Sequence, residues 1–149
     1  MSEIQLVVFK LDREEYGVNI MQVQEIGEYQ QPVKVPNAPE FVEGIINLRG
    51  DVIPVVNLKK RFRLQENEIT ENTRLIVTNV GTRSIGFVVD DASEVLTLDE
   101  VNIQETPEII GGQERRYISG IGKQDERLLI ILDLNALLTD QEKLEIESI

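Results

Sequence analysis

Neither cysteine nor histidine occurs in the 149 residues. Their joint absence removes disulfides, thiol nucleophiles, imidazole general bases and the usual zinc ligand sets, so any enzymatic chemistry would rest on carboxylates, Lys, Tyr or Ser. Missing cysteines fit a reducing cytoplasm, although a disulfide-free secreted protein would look the same. Positive charge is scarce too: 15 Lys and Arg stand against 27 Asp and Glu, a net charge of −12. That balance opposes a nucleic-acid backbone or an anionic lipid surface, both of which are bound chiefly by Lys and Arg. No apolar run is long enough to span a bilayer, and Glu3 stands where a secretion signal would carry positive charge. The expectation is a cytoplasmic chain with no cofactor, metal, nucleic-acid partner or direct membrane insertion.

What is present is concentrated in FVEGIINLRGDVIPVVNLKKRF, Phe41 to Phe62. Gly44 opens a strand over Ile45 to Leu48, and Arg49-Gly50 marks a reversal in which Gly50 supplies the positive φ. Val52 to Val56 returns as an apolar run without alternation, which predicts cover on both faces, while Pro54 argues for a strand edge or a bulge. Asn57 is placed to cap a helix over Leu58 to Phe62. Arg49 is thereby raised at a hairpin tip.

The chain also repeats itself. LVVFKLDREEYGVNIMQVQEI (Leu6 to Ile26) aligns without gaps to LIVTNVGTRSIGFVVDDASEV (Leu75 to Val95), and Phe41 to Phe62 aligns to YISGIGKQDERLLIILDLNALL (Tyr117 to Leu138). Asn57 then falls on Asp133, a second capping residue, and Arg49 falls on Asp125. Between the paired blocks lie 14 residues in the first copy and 21 in the second, with the surplus around Gly111 to Arg116 predicted to be a mobile surface loop. Each first block reads as strand, turn, strand and short helix. The helix is expected after Asn19, with Gln22 completing a capping box and Ile20, Val23 and Ile26 forming its stripe; Val23 and Glu25 share it. Thr139 with Glu142 gives the same signal before a terminal helix ending near Ser148. Short strands between frequent turn signals favour barrels or sandwiches, and two small barrels would gain by packing together. Approximate subdomains are 1–66 and 67–149, with terminal segments free to exchange, so that a clean cut near Asn67 is not expected.

Reactive groupings are few. Asp90-Asp91 could be offered as an acid–base pair for a carboxylate hydrolase, but Asp90 aligns with the start of a short helix, where capping is the stronger reading. Glu14-Glu15 reads as solvated turn. Gly111-Gly112 lacks the following helix that a phosphate cradle needs, and Arg115-Arg116 reads as loop counter-charge. Arg49 differs, because the repeat does not demand it and arginine is enriched among dominant interface residues.

Taken together, EEYGVNIMQVQEI (Glu14 to Ile26), FVEGIINLRGDVIPVVNL (Phe41 to Leu58), GFVVDDASEVL (Gly86 to Leu96) and GIGKQDERLLIILDLNALL (Gly120 to Leu138) resemble the CheW family of bacterial chemotaxis coupling proteins over essentially the whole chain. The resemblance implies a mainly β fold in which two intertwined, five-stranded SH3-like barrels carry short peripheral helices and a C-terminal helix, all within one domain spanning 1–149. It further implies a non-enzymatic adaptor joining the cytoplasmic tips of methyl-accepting chemoreceptors to the regulatory domain of the histidine kinase CheA, recruited to membrane receptor arrays through those partners. The alternative is a regulatory module of the same kind in another receptor–kinase pathway. Matching the family's motifs residue by residue assigns receptor binding to Val23, Glu25, Gly44, Asn47 and Arg49, with the receptor tip in a groove between the barrels. No short motif assigns kinase-binding residues.

Overall fold

The structure is a computed structural model that describes residues 2–65, 68–109 and 114–149. Among these, the strands are β1 (Glu3–Leu11), β2 (Glu14–Asn19), β3 (Val23–Glu28), β4 (Val42–Leu48), β5 (Asp51–Asn57), β6 (Arg74–Val80), β7 (Arg83–Val89), β8 (Asp91–Asp99), β9 (Ile103–Gln104), β10 (Ile118–Gln124) and β11 (Arg127–Leu132). The helices are short: α1 (Leu58–Arg61), α2 (Glu114–Tyr117), α3 (Leu134–Leu137) and α4 (Asp140–Glu147).

Two sheets form, ordered β8-β1-β2-β11-β10-β9 and β3-β6-β7-β5-β4, and Val33 bridges to Ile45 beyond β4 as β9 lies beyond β10. The duplication is legible in the pairing itself. β5 runs parallel to β7 with Val55 opposite Gly86, and β11 runs parallel to β2 with Ile131 opposite Gly17, which are the same two positions in each copy. The hairpin that opens each half therefore pairs with the second hairpin of the other half, and the two SH3-like barrels are intertwined.

This topology explains the apolar runs that do not alternate. Leu6 and Val8 point into one barrel with Leu96, Leu98, Leu129 and Ile131, while Leu75 and Val77, their copies, point into the other with Ile46, Ile53, Val55 and Val88. The intervening Val7, Phe9, Ile76 and Phe87 face outward into a third core shared by both barrels. Each such strand is covered on two faces by different cores. Pro54 does not mark an edge, because β5 is internal to its sheet; Pro54 faces Ile45 of β4, and the ladder to β7 begins one residue later at Val55. The bulge falls on β4, between Val42 and Gly44.

Several caps form as expected. Asn57 accepts from Lys60 N at 3.2 Å, Asp133 accepts from Asn135 N at 3.0 Å, and Thr139 with Glu142 forms a reciprocal box at the start of α4. Other readings fail. No helix carries Val23 and Glu25: a single 3-10 turn, Ile20–Gln22, precedes strand β3, and Gln22 turns away to Asp133 and the amide of Leu134 rather than closing a box. No helix starts at Asp90, where β8 follows β7 directly; its carboxylate accepts from Asp12 N at 2.7 Å and from Lys59 Nζ at 2.9 Å. Arg115 and Arg116 are not loose counter-charges. They lie on α2 and donate to the carbonyls of Thr106 and Pro107 and of Ala136 and Leu137, respectively. Asn67, Gly111 and Gly112 lie outside the described residues.

Candidate functional site

The β4–β5 hairpin is shaped by its turn. Arg49 and Gly50 both take positive φ, 50° and 91°, which matches the right-handed twist of the flanking strands and exceeds the single left-handed residue expected from sequence. A left-handed arginine costs about 1 kcal/mol, so this position is held by its surroundings. Asn47 contributes, since its Oδ1 accepts from Gly50 N at 2.8 Å. Asp125, the copy of Arg49, has φ 54°, but Glu126, the copy of Gly50, is not left-handed, so the second hairpin shares only the first left-handed residue.

Arg49 Nη2 donates to Glu25 Oε1, although the Arg49 side chain remains 72% exposed and that of Glu25 is 22% exposed. β3 and β4 are the two ends of their sheet order, so this pair ties one end to the turn that follows the other. The second barrel uses a shifted version of the device. Glu94, the copy of Glu25, binds Arg127 Nη2 at 2.8 Å, two residues beyond the Arg49 equivalent, and Arg127 also binds Glu15 at 2.8 Å. Hydrogen bonding to Arg127 holds the Glu94 carboxyl below its ordinary range, and the two carboxylates push the guanidinium further up.

The remaining assigned residues sit differently. Val23 opens β3, half-buried against the shared core. Gly44 is buried, and it is required by the protein's own chain: with φ +144°, a Cβ here would stand 2.1 Å from the carbonyl oxygen of Val33. Val33 and Ile45 exchange two backbone hydrogen bonds of 2.9 Å across this contact. Gly120 plays the same part against Gln104, whose oxygen lies 2.8 Å from the corresponding Cβ position. Glu25, Asn47 and Arg49 are thus brought to one tip, whereas Gly44 supports it from within and Val23 packs inward.

Sequence reasoning missed two features. Met21 stands exposed on the 3-10 turn directly ahead of Val23, where a helical reading gave it no distinct role. Lys59, inside the charged run LKKR, is buried: its side chain is 5% exposed, with Nζ 2.8 Å from Asp12 and 2.9 Å from Asp90. Burial alone would lower its pKa, but the two carboxylates outweigh that and raise it. A lysine in a basic run carries no sequence signal for such burial. Among the described residues, no group of three or more Asp and Glu is arranged to hold a metal ion.

Two strand-exchanged barrels, a braced arginine tip and a shared core between the halves define a double-barrel scaffold module. The chain belongs to the CheW family: the CheW-like domain model matches residues 5–142. It is 38% identical over 145 residues to the chemotaxis protein CheW of Klebsiella aerogenes, covering 97% of this chain and 87% of that one. The Bacillus subtilis chemotaxis protein CheW is 40% identical over 133 residues, covering 89% and 85%. The crystal structure of the scaffolding protein TtCheW from Thermoanaerobacter tengcongensis superposes with a TM-score of 0.85 at 35% identity, over 95% of this chain and 92% of that one.

Proposed function

We propose that this protein is a non-enzymatic adaptor that couples the cytoplasmic tips of methyl-accepting chemoreceptors to the histidine kinase CheA, and that it reaches the membrane only through those partners. The chemotaxis relatives favour this pathway over another receptor–kinase system. No helix among the described residues is long and apolar enough to cross a bilayer. Halves 1–66 and 67–149 work as one unit, because each barrel needs strands from both.

The observation that carries the reading is the Glu25–Arg49 tip. It holds an arginine in a costly backbone conformation, braced on one side and largely open to solvent on the other. The remaining guanidinium donors suit a carboxylate or carbonyl on the receptor hairpin. Val23 supplies apolar support beneath the groove, Asn47 fixes the turn, and Gly44 positions β4 by admitting the Val33 segment. Receptor pull-down with Arg49→Ala tests the assignment. The variant keeps its circular dichroism spectrum and loses about 2 kcal/mol or more of receptor affinity, as expected for an interface anchor. Undiminished binding by the folded variant would sink it.

A further inference from the structure

We propose a second docking surface, at the opposite end of β5 from the Arg49 tip, that accepts an acidic amphipathic helix from a partner. Seven residues of β5, Asp51–Asn57, separate the two ends, or roughly 20 Å at the usual strand rise. There Tyr16, Phe62, Leu64, Tyr117, Ile130 and Leu132 line an open cavity of about 550 Å³. Its aromatic rings stack in series, with Tyr16 and Phe62 centroids 6.2 Å apart and Phe62 and Tyr117 centroids 5.4 Å apart.

The internal duplication supplies the template for the occupant. In the other half the corresponding place holds the protein's own α4. Arg83, at the start of β7, donates to the carbonyls of Ile146 and Ile149, and Ile146 is buried in the same core as Ile85 and Leu138. Under the gap-free alignment, Ile85 corresponds to Tyr16 and Leu138 to Phe62, and both counterparts line the open cavity. One half packs an aliphatic helix residue into the shared core beside these positions. In the other, Tyr16 is buried and Phe62 half-buried, and the space beside them stays open.

Charge selects the partner's chemistry. In a chain of net charge −12, Lys60, Arg61 and Arg63 cluster at this end, whereas Lys59 beside them is buried against Asp12 and Asp90. Arg61 and Arg63 line the aromatic cavity, and with Lys60 they line an adjoining one of about 580 Å³. The Arg61 guanidinium stands 5.9 Å from the Tyr117 ring centroid, and its buried Nε has no hydrogen-bond partner. Arg61 is already held by Glu142 of α4 at 3.3 Å, so the exposed Arg63 is the rim charge offered to a partner. A second copy of this acidic chain would meet like charge, whereas an acidic helix carrying a bulky aliphatic side chain one turn from a carboxylate satisfies both cavity and rim.

The test titrates the isotope-labelled full chain with a synthetic peptide of residues 139–149, which contains Glu142 and Ile146. The expected result is saturable amide and ring shifts centred on Tyr16, Phe62, Leu64 and Tyr117, weakened at least tenfold by Arg63→Glu and by Leu64→Asp. Both variants should keep their spectra elsewhere, and Arg63→Glu should keep receptor-fragment binding, which separates this surface from the adaptor tip. Absence of saturable shifts would overturn the proposal. So would shifts confined to the Ile85 and Ile146 face, equal affinity for a scrambled peptide of the same charge, or concentration-dependent self-association that reproduces the shifts without peptide.

Discussion

Arg49 Nη2 donates to Glu25 Oε1 and so joins the turn after β4 to β3, the two ends of one sheet. The pair is an exposed one, and exposed pairs contribute about 0–1 kcal/mol. Its value lies in aiming the guanidinium rather than in stability. Replacing Arg49 by glycine, which accepts the left-handed turn at no steric cost, should leave the thermal midpoint unchanged or slightly higher while weakening receptor binding as Arg49→Ala does. Calorimetry alongside receptor binding checks this. A destabilised Arg49→Gly variant would mean that the arginine is retained for folding.

Gly44 answers to a different constraint. An added methyl would collide with the Val33 carbonyl in a backbone region that disfavours side chains, so Gly44→Ala should cost about 3 kcal/mol. It should also release the Val33–Ile45 bridge, read as faster hydrogen exchange at the amides of Val33 and Ile45. Gly120→Ala should behave alike at Gln104. Unchanged exchange in Gly44→Ala would return Gly44 to a direct receptor role.

Lys59 ties α1 to Asp12 of the β1–β2 turn and to Asp90, where the chain passes from one barrel to the other. Lys59→Met should cost about 2–3 kcal/mol, below the range for a fully buried pair because both carboxylates reach solvent. The folded pKa of Lys59 lies above its ordinary value of 10.5, and burial likewise raises Tyr16 above 10.0. Both groups therefore contribute stability that is complete below about pH 10 and is lost as pH rises through the raised values. Denaturant titrations from pH 8 to 11.5 should show this alkaline decline, and it should be shallower in Lys59→Met.

On the acid side the governing group is Glu94. Its folded pKa is depressed, chiefly by hydrogen bonding to Arg127, so its contribution is present above the ordinary 4.5 and is lost as pH falls through the depressed value. Arg127→Met should remove that acid-sensitive part, seen as a smaller loss of midpoint between pH 5 and pH 3. An identical acid profile in the variant would show that Glu94 does not depend on Arg127.

Much of this arrangement was legible in the residues, because duplication repeats local chemistry. The caps Asn57 and Asp133, the hairpin turns at Arg49 and Asp125, and the gap-free blocks recur as matching elements with matching register. The stretch from Ile20 to Ile26 imitates helical spacing for a physical reason: β3 alternates regularly, but Glu25 takes a half-buried position beside Arg49 while Ile26 faces outward, so the apolar residues do not follow the strand's buried face. Asp90 aligns with the same 3-10 segment, and it too stands at a strand junction, paired to Lys59 and the Asp12 amide. The exchange of hairpins between barrels, the burial of Lys59 and the open cavity beside Phe62 depend on contacts across 30 to more than 110 residues, and no local pattern encodes them. Arg127 carries no signal from the repeat, because it lies two residues beyond Asp125, the equivalent of Arg49.

The central claim is coupling, and the most direct measurement is CheA kinase activity in a reconstitution with a receptor cytoplasmic fragment, with and without this protein. The account predicts that adding the protein assembles a ternary complex and changes kinase activity, and that Arg49→Ala, folded as the parent, does neither to the same extent. Unchanged kinase activity together with no ternary complex would contradict it.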